Sequence, residues 1–187
     1  MALDLDNEQL WVEQAQRDRQ AFTRLYDCYF PRLYAYVSYR VGRVQDTEDL
    51  VAETFLKAVE SIGRFEWRHN GSFAAWLFRI AHNLLNDRYR QPRYSEPTIP
   101  LEDLPQLRAN SLLPDEIVLQ KEKFAQLRAA LASLAPRRRE IITLKFFGGL
   151  RNREIAIVLE LDERTIASHL QRGLQDLNRK FGLELLD

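Results

Sequence analysis

The stretch DTEDLVAETFLKAVESIGRFEWRHNGSFAAWLFRIAHNLLNDRYR, residues Asp46 to Arg90, decides the fold. It reads as two amphipathic helices joined by a short polar turn. Asp46 is placed to cap the first helix, with Asp49 at its third position, because acids are stabilised near a helix N-terminus. Val51, Phe55, Ala58, Val59 and Ile62 recur at helical spacing and are expected to face a core. Asp49, Glu53, Leu56 and Glu60 share another face, acidic around one large apolar side chain, which suits protein docking as well as it suits a solvated surface. In the second helix Gly71 supplies a turn and Ser72 an N-cap. Phe73, Trp76, Leu77, Ile80, Ala81 and Leu84 form the expected buried stripe. Arg79, Asn83, Asn86 and Arg90 follow at spacings of four, three and four, a ladder of cationic and amide groups on one face. Cations neutralise phosphates and amides read base edges. The loop before the helix brings Trp67, Arg68, His69 and Asn70 together, a mixture able to stack on and bond an unpaired base.

Outward from this stretch, the chain stays helical in both directions. Asn7 to Arg17 carries Leu10, Val12 and Ala15 at helical spacing. Gln20 to Tyr29 follows with Phe22, Leu25, Tyr26 and Tyr29. Pro31 is expected to start a new segment or kink the old one, and Leu33, Tyr34, Val37 and Val41 continue to Gly42. Residues 7–91 can thus close as one helical domain. Residues 92–114 break the pattern with Pro92, Pro97, Pro100, Pro105 and Pro114, and read as an acidic, partly extended linker. Residues 115–182 are helical again. Ile117, Phe124, Leu127, Leu131 and Leu134 form a stripe, and Pro136 opens a helix bearing Ile141, Ile142, Leu144 and Phe147 that stops at Gly148-Gly149. Then Ile155, Ala156 and Leu159 face inward on one helix, Leu161 lies in a turn, and Ile166 and Leu170 anchor the next. Two short helices about a tight turn suggest helix-turn-helix, whose second helix enters a major groove. On that helix Thr165, Ser168, His169 and Arg172 share one face, beside Glu163, Arg164 and Gln171. The fold class is therefore all-α, with two small helical domains joined by a Pro-rich linker.

Composition bounds the function. With 27 basic and 27 acidic residues the net charge is zero, against a blanket nucleic-acid coat protein. The signs alternate instead: five acids and one base from Val44 to Glu60, then six bases and two acids from Ile62 to Arg93. Segments of opposite sign are expected to meet different partners. Cys28 is the single cysteine, so no internal disulfide can form. The histidines His69, His82 and His169 are scattered and make no metal-ligand motif, so no metal or cofactor is expected. No apolar run approaches a membrane span and no signal-peptide pattern opens the chain, so the expected place is the cytoplasm, with no membrane insertion.

DTEDLVAETFLKA and SFAAWLFRIAHNLLNDRYR resemble the second conserved region of bacterial sigma factors of the extracytoplasmic function group. LAPRRREIITLKFFGGLRNREIAIVLELDERTIASHLQRGLQDL resembles the fourth region of the same family. Both blocks stand in the family's order, separated by a Pro-rich linker. The resemblance implies a non-enzymatic factor that binds core RNA polymerase and directs it to promoter DNA. Asp49, Leu50, Glu53, Thr54 and Leu56 would dock on the polymerase. Trp67, His69, Asn70, Ser72, Arg79, Asn83, Asn86 and Arg90 would capture the opened −10 strand. Arg164, Thr165, Ser168, His169 and Arg172 would read the −35 duplex. The linker would enter the polymerase near the template strand and the RNA exit path. Family members are often held by an anti-sigma factor. This chain departs from the pattern at Glu160, where the family usually has glycine, and at Ala167 and His169, where a basic residue is common.

Two rivals stand beside this reading. An ordinary helix-turn-helix regulator explains the C-terminal half but not the basic ladder. A metal-dependent nuclease using Asp49 and Glu53 lacks a ligand motif.

Overall fold

The computed structural model describes residues 7–90 and 126–181, and among these the regular structure is helical with no strand. The proposed linker and the stripe positions Ile117 and Phe124 lie outside the described residues. Helix α1 is Glu8–Arg17, α2 Phe22–Val41, α3 Val44–Ser61 and α4 Ser72–Tyr89. A helical segment at 126–132 is α5. Then come α6 Pro136–Phe146, α7 Asn152–Leu159 and α8 Glu163–Phe181.

Pro31 neither starts a helix nor ends one; it sits inside the continuous α2. Proline removes the hydrogen bond to the carbonyl of Asp27. Both residues face solvent, so water can satisfy that oxygen. Gly42 closes α2 with a φ of 85°.

Helix α3 begins earlier than expected. Its N-cap is Arg43, and Asp46 lies in the first turn, with Asp49 a turn further on. Asp46 bonds over a longer range, its carboxylate accepting from Arg88 of α4 at 2.7 Å. Ser72 likewise does not cap α4. The cap position belongs to Gly71, at φ +88°, and Ser72 Oγ instead accepts the Arg68 N–H at 3.4 Å. A side chain at residue 71 would meet two obstacles: the left-handed backbone, and the Glu154 carboxylate that occupies the space a Cβ would need.

That second obstacle belongs to the C-terminal domain, which packs directly on α4. One continuous core joins Leu25, Leu33, Phe55, Phe73 and Phe78 to Ile141, Leu144, Leu150, Ile155 and Ile166. A second cluster gathers Ala130, Leu131, Leu134, Ile142 and Leu177 around Tyr39, which α2 contributes from the other side. The Tyr39 ring stacks on Phe147 with centroids 5.0 Å apart. Helix α4 is thus enclosed by α2 and α3 on one side and α7 on the other. Its buried set, Phe73, Ala74, Ala75, Leu77, Phe78, Ala81 and Leu85, is wider than one stripe, while Trp76, Ile80 and Leu84 are only half-buried. A helix apolar on several sides is one that several neighbours cover.

Candidate interfaces for polymerase and nucleic acid

Three surfaces carry the residues singled out in the sequence. The first is the outer face of α3. Asp49, Glu53 and Glu60 are exposed there, and Leu56 is 58% exposed. Leu50 and Thr54 do not belong to this face. Both are buried, at 1% and 0% exposure, and the Thr54 hydroxyl donates to the Leu50 carbonyl at 2.7 Å. They lie with the core positions Val51 and Phe55 around the helix and are drawn inward with them, so their side chains are covered in this structure. Leu56 also lines an apolar groove between α2 and α3, together with Phe22, Tyr26, Phe55, Val59 and the basic Arg19. Tyr26 is itself 39% exposed. The surface therefore joins an apolar groove, with Arg19 in its lining, to an acidic outer face of α3.

The second surface is the loop before α4 and the free edge of that helix. Gln16 of α1 fixes the loop, donating from Nε2 to the carbonyls of Phe65 at 2.6 Å and Ile62 at 3.1 Å. Phe65 packs on Trp76 and Phe73, with ring centroids 5.0 and 5.8 Å apart. At the other end the Gly71 N–H donates to Glu8 at 3.1 Å, and the Tyr29 hydroxyl donates to the same carboxylate. Burial pushes the Glu8 carboxyl above its ordinary range, against the pull of those two hydrogen bonds. The loop between these anchors presents exposed Arg68 and Asn70 with half-buried Trp67 and His69. Ser72 is buried and turned to the loop backbone, so its hydroxyl is not offered outward.

Along α4 the four-rung ladder splits. Asn83 and Arg90 are exposed, Arg90 making a loose 3.5 Å pair with Asp87. Arg79 is half in the open but paired with Glu160 of the C-terminal domain. The Asn86 amide is partly engaged: one of its N–H groups donates to His82 Nε2 at 2.9 Å. His82 Nδ1 in turn lies 3.2 Å from Glu140. One tautomer satisfies both contacts, with the proton on Nδ1 donated to the carboxylate and Nε2 accepting from Asn86. Burial, helped by the nearby Arg40 and Arg137 charges, pushes the His82 pKa down to about 4, so this imidazole stays neutral.

The third surface is α8. Asp162 caps it, accepting the Thr165 N–H at 2.7 Å and the Thr165 hydroxyl at 2.5 Å. Those bonds hold the Asp162 carboxyl below the usual carboxylate range. They also occupy Thr165, which is half-buried. His169 is half-buried too, with its Nδ1 covered and unpaired among the described residues. The open face is instead centred on Arg164, Ser168, Gln171 and Arg172, all exposed, with Ala167 beside them. The expected Thr165–His169 edge is the flank of that face, not its middle. The buried side of α8, through Ile166, Gly173, Leu174 and Leu177, sets this rotation.

Sequence comparison gives these surfaces a family. Residues 25–94 match the model for sigma-70 region 2, and residues 124–177 match that for sigma-70 region 4. The ECF RNA polymerase sigma factor BldN of Streptomyces coelicolor is 37% identical over 183 residues, which is 95% of this chain and 68% of that protein. The ECF sigma factor SigX of Bacillus subtilis is 32% identical over 174 residues, 90% of this chain and 89% of its relative. The chain belongs to the sigma-70 family, in its extracytoplasmic function group. The fold agrees. CnrH, solved in complex with the cytosolic domain of CnrY, superposes with a TM-score of 0.69 at 23% identity, covering 97% of this chain and 99% of that one. RpoE of Bartonella quintana, solved with the anti-sigma factor NepR, superposes with a TM-score of 0.63 at 23% identity, covering 87% and 98%.

Among the described residues no cluster of His, Cys, Asp and Glu could hold a metal ion, and no helix is long and apolar enough to cross a membrane.

Proposed function

We propose a division of labour among the three surfaces of this sigma factor. As a member of its family, the chain binds core RNA polymerase and directs promoter recognition and transcription initiation. The groove lined by Leu56, with Asp49, Glu53 and Glu60 on the adjoining face of α3, takes an apolar helix ridge of the polymerase flanked by basic residues. Apolar contact supplies the affinity there and the acids set the register. The loop from Trp67 to Asn70 and the edge bearing Arg79, Asn83 and Arg90 hold the opened −10 strand. Pulling a base from the stack costs a few kcal/mol, which stacking and hydrogen bonds in the loop offset. Arg164, Ser168 and Arg172 on α8 meet the −35 duplex, joined by Gln171. The residues engage DNA and polymerase without catalysing a reaction, and they do so in the cytoplasm. An anti-sigma factor that covers the same surfaces is the expected regulator, by analogy with relatives solved in such complexes.

One observation carries this reading best: an exposed apolar-acidic surface and an exposed amide-basic surface lie on successive helices of one packed core. An ordinary helix-turn-helix regulator has no need of either. Run-off transcription with core polymerase and a library of genomic fragments is the test. Promoter-specific transcripts that require the chain support the proposal. Tight promoter binding by the isolated chain at physiological salt, with no transcripts, would favour the plain regulator.

A further inference from the structure

Two side chains of α1 grip the loop before α4 at its opposite ends, each through a backbone group of the loop. The Gln16 amide donates to the carbonyls of Ile62 and Phe65 at 3.1 and 2.6 Å. The Phe65 carbonyl belongs to the peptide that leads into Glu66. At the far end, Glu8 accepts the Gly71 N–H at 3.1 Å. That N–H belongs to the peptide that leads out of Asn70. Residues 66–70, with Trp67, Arg68, His69 and Asn70 among them, therefore run between two peptide planes that α1 orients. A peptide is planar, so holding its carbonyl or its N–H sets the direction in which the chain continues.

Both anchors stand on one rigid piece. Glu8, Val12, Ala15 and Gln16 follow at i, i+4, i+7 and i+8, one face of a helix. Val12 and Ala15 are buried and seat that face on the core. Eight residues part the anchors, about 12 Å of helix. The two ends of the loop are thus held apart by a straight helix of fixed length. The anchors differ in surroundings. Glu8 is 2% exposed, and its other oxygen accepts from the buried Tyr29 hydroxyl, so the carboxylate is locked in place. Gln16 is exposed, where water competes for its amide. Its bonds add little to stability, and what they govern is the path of the loop. Neither side chain is offered to a nucleic acid: Glu8 is covered, and the Gln16 amide is turned to the loop backbone.

We propose that α1 is a brace for base selection, with Glu8 and Gln16 as positioning residues that set the span and tilt of the loop from Trp67 to Asn70. This rests on the assignment of that loop to the opened −10 strand. A wrong base is rejected when it leaves fixed polar groups without partners. A loop free to shift can pair those groups with the wrong base, and rejection weakens. Loss of either anchor therefore relaxes base preference at −10 and leaves duplex reading by α8 as it was.

The test uses holoenzyme reconstituted from the full chain and core polymerase. The template is a promoter recovered from the genomic library, with its −10 element randomised and each version tied to a barcode in the transcribed region. Sequencing the transcripts gives the ratio of preferred to other bases at each −10 position. Gln16→Glu keeps the size of the side chain and removes the donor. Glu8→Leu removes the acceptor, and Glu8→Gln supplies one again. Gln16→Glu and Glu8→Leu are expected to lower the strongest −10 ratio about fivefold, the scale of one misplaced hydrogen bond, with −35 preference unchanged. Glu8→Gln should keep the parent ratio. A chain that is only less stable or more acidic lowers all transcripts together and leaves the ratios alone. Gln16→Glu changes an exposed residue and should melt as the parent does, so it decides the matter if Glu8→Leu fails to fold. A parent ratio for Gln16→Glu overturns the brace, as does a Glu8→Gln variant as relaxed as Glu8→Leu. Asn70→Ala is run beside them. If it leaves every −10 ratio at the parent value, the loop assignment fails and the brace with it. If it lowers a ratio that Gln16→Glu does not, the brace alone fails.

Discussion

Helices α4 and α8 are both proposed to meet DNA, yet they are built in opposite ways. Helix α8 buries one side, through Ile166, Leu174 and Leu177, and leaves a broad face to solvent. Helix α4 is buried on several sides and keeps only an edge, of which Asn83 and Arg90 are the most open members. The difference suits the two proposed targets. A helix that enters a major groove needs a wide exposed face. A surface that holds an unpaired strand needs a few groups in fixed positions, and packing on every other side fixes them. The open edge of α4 is fixed by its neighbours, whereas α8 carries its proposed reading face alone.

The largest expected effect tests that dependence. Phe78 is fully buried where α4 meets the C-terminal domain, in a core the two domains share. Phe78→Ala should cost about 3–5 kcal/mol in urea unfolding. The parent chain should unfold in a single transition by fluorescence and circular dichroism together. Arg172→Ala, on the open face of α8, should stay within about 0.5 kcal/mol of the parent. Two well-separated transitions in the parent would mean that α4 does not depend on its C-terminal neighbour.

The next effect belongs to the groove on α3. Leu56 is exposed in its lining and contributes little to the core. Leu56→Asp should weaken core-polymerase binding by about 2 kcal/mol, the loss of one apolar anchor, with helicity and melting temperature nearly unchanged. Glu53→Lys should act in the same direction and more weakly. Normal binding by Leu56→Asp would show that the polymerase docks elsewhere.

Much of this is legible in the sequence, and the places where sequence misleads have definite causes. The all-α class, the helix-turn-helix pair and the identity of α3 and α4 follow from 3.6-residue periodicity and turn residues. Leu50 and Thr54 enter the docking set through the family resemblance alone; around the helix they lie with Val51 and Phe55 and are buried. Asp46 has the character of a cap because acids suit an N-terminus; its actual partner, Arg88, is far away in sequence. Spacing groups Thr165 and His169 with the reading face, but spacing alone cannot say where the centre of that face lies. The domain seam does leave a trace: Ala74, Ala75 and Phe78 make α4 apolar beyond one stripe, and Glu140 adjoins the apolar run of α6 yet is buried with it. Neither trace names its partner. The buried box of Glu140, Arg40, Tyr36 and His82 joins residues from three helices, and only the folded chain brings them together.

That box makes a smaller, pH-dependent prediction. His82 has an ordinary pKa of 6.5, and burial lowers it to about 4 in the folded chain. Between those values the unfolded chain binds a proton that the folded chain refuses, so folding loses stability as pH falls from 6.5 toward 4. Glu8, whose carboxyl is raised by burial, works in the opposite direction as its proton returns. The comparison must therefore be with His82→Gln, which lacks only the first effect. Relative to the parent, this variant should gain about 1–2 kcal/mol between neutral pH and about pH 5 in urea titrations. A constant difference across that range would show that the imidazole is not held neutral by its surroundings.

The division of labour itself is tested most directly by permanganate footprinting with reconstituted holoenzyme, on duplex promoters and on promoters already melted at −10. One lost hydrogen bond is worth about 1 kcal/mol, so Asn83→Ala should reduce strand opening about fivefold on duplex templates. Its initial duplex binding should be nearly normal, and pre-melting should restore part of the loss. Arg172→Ala should weaken initial binding on both templates, and pre-melting should not rescue it. If the two variants respond alike to pre-melting, α4 and α8 do not divide the promoter between opened strand and duplex.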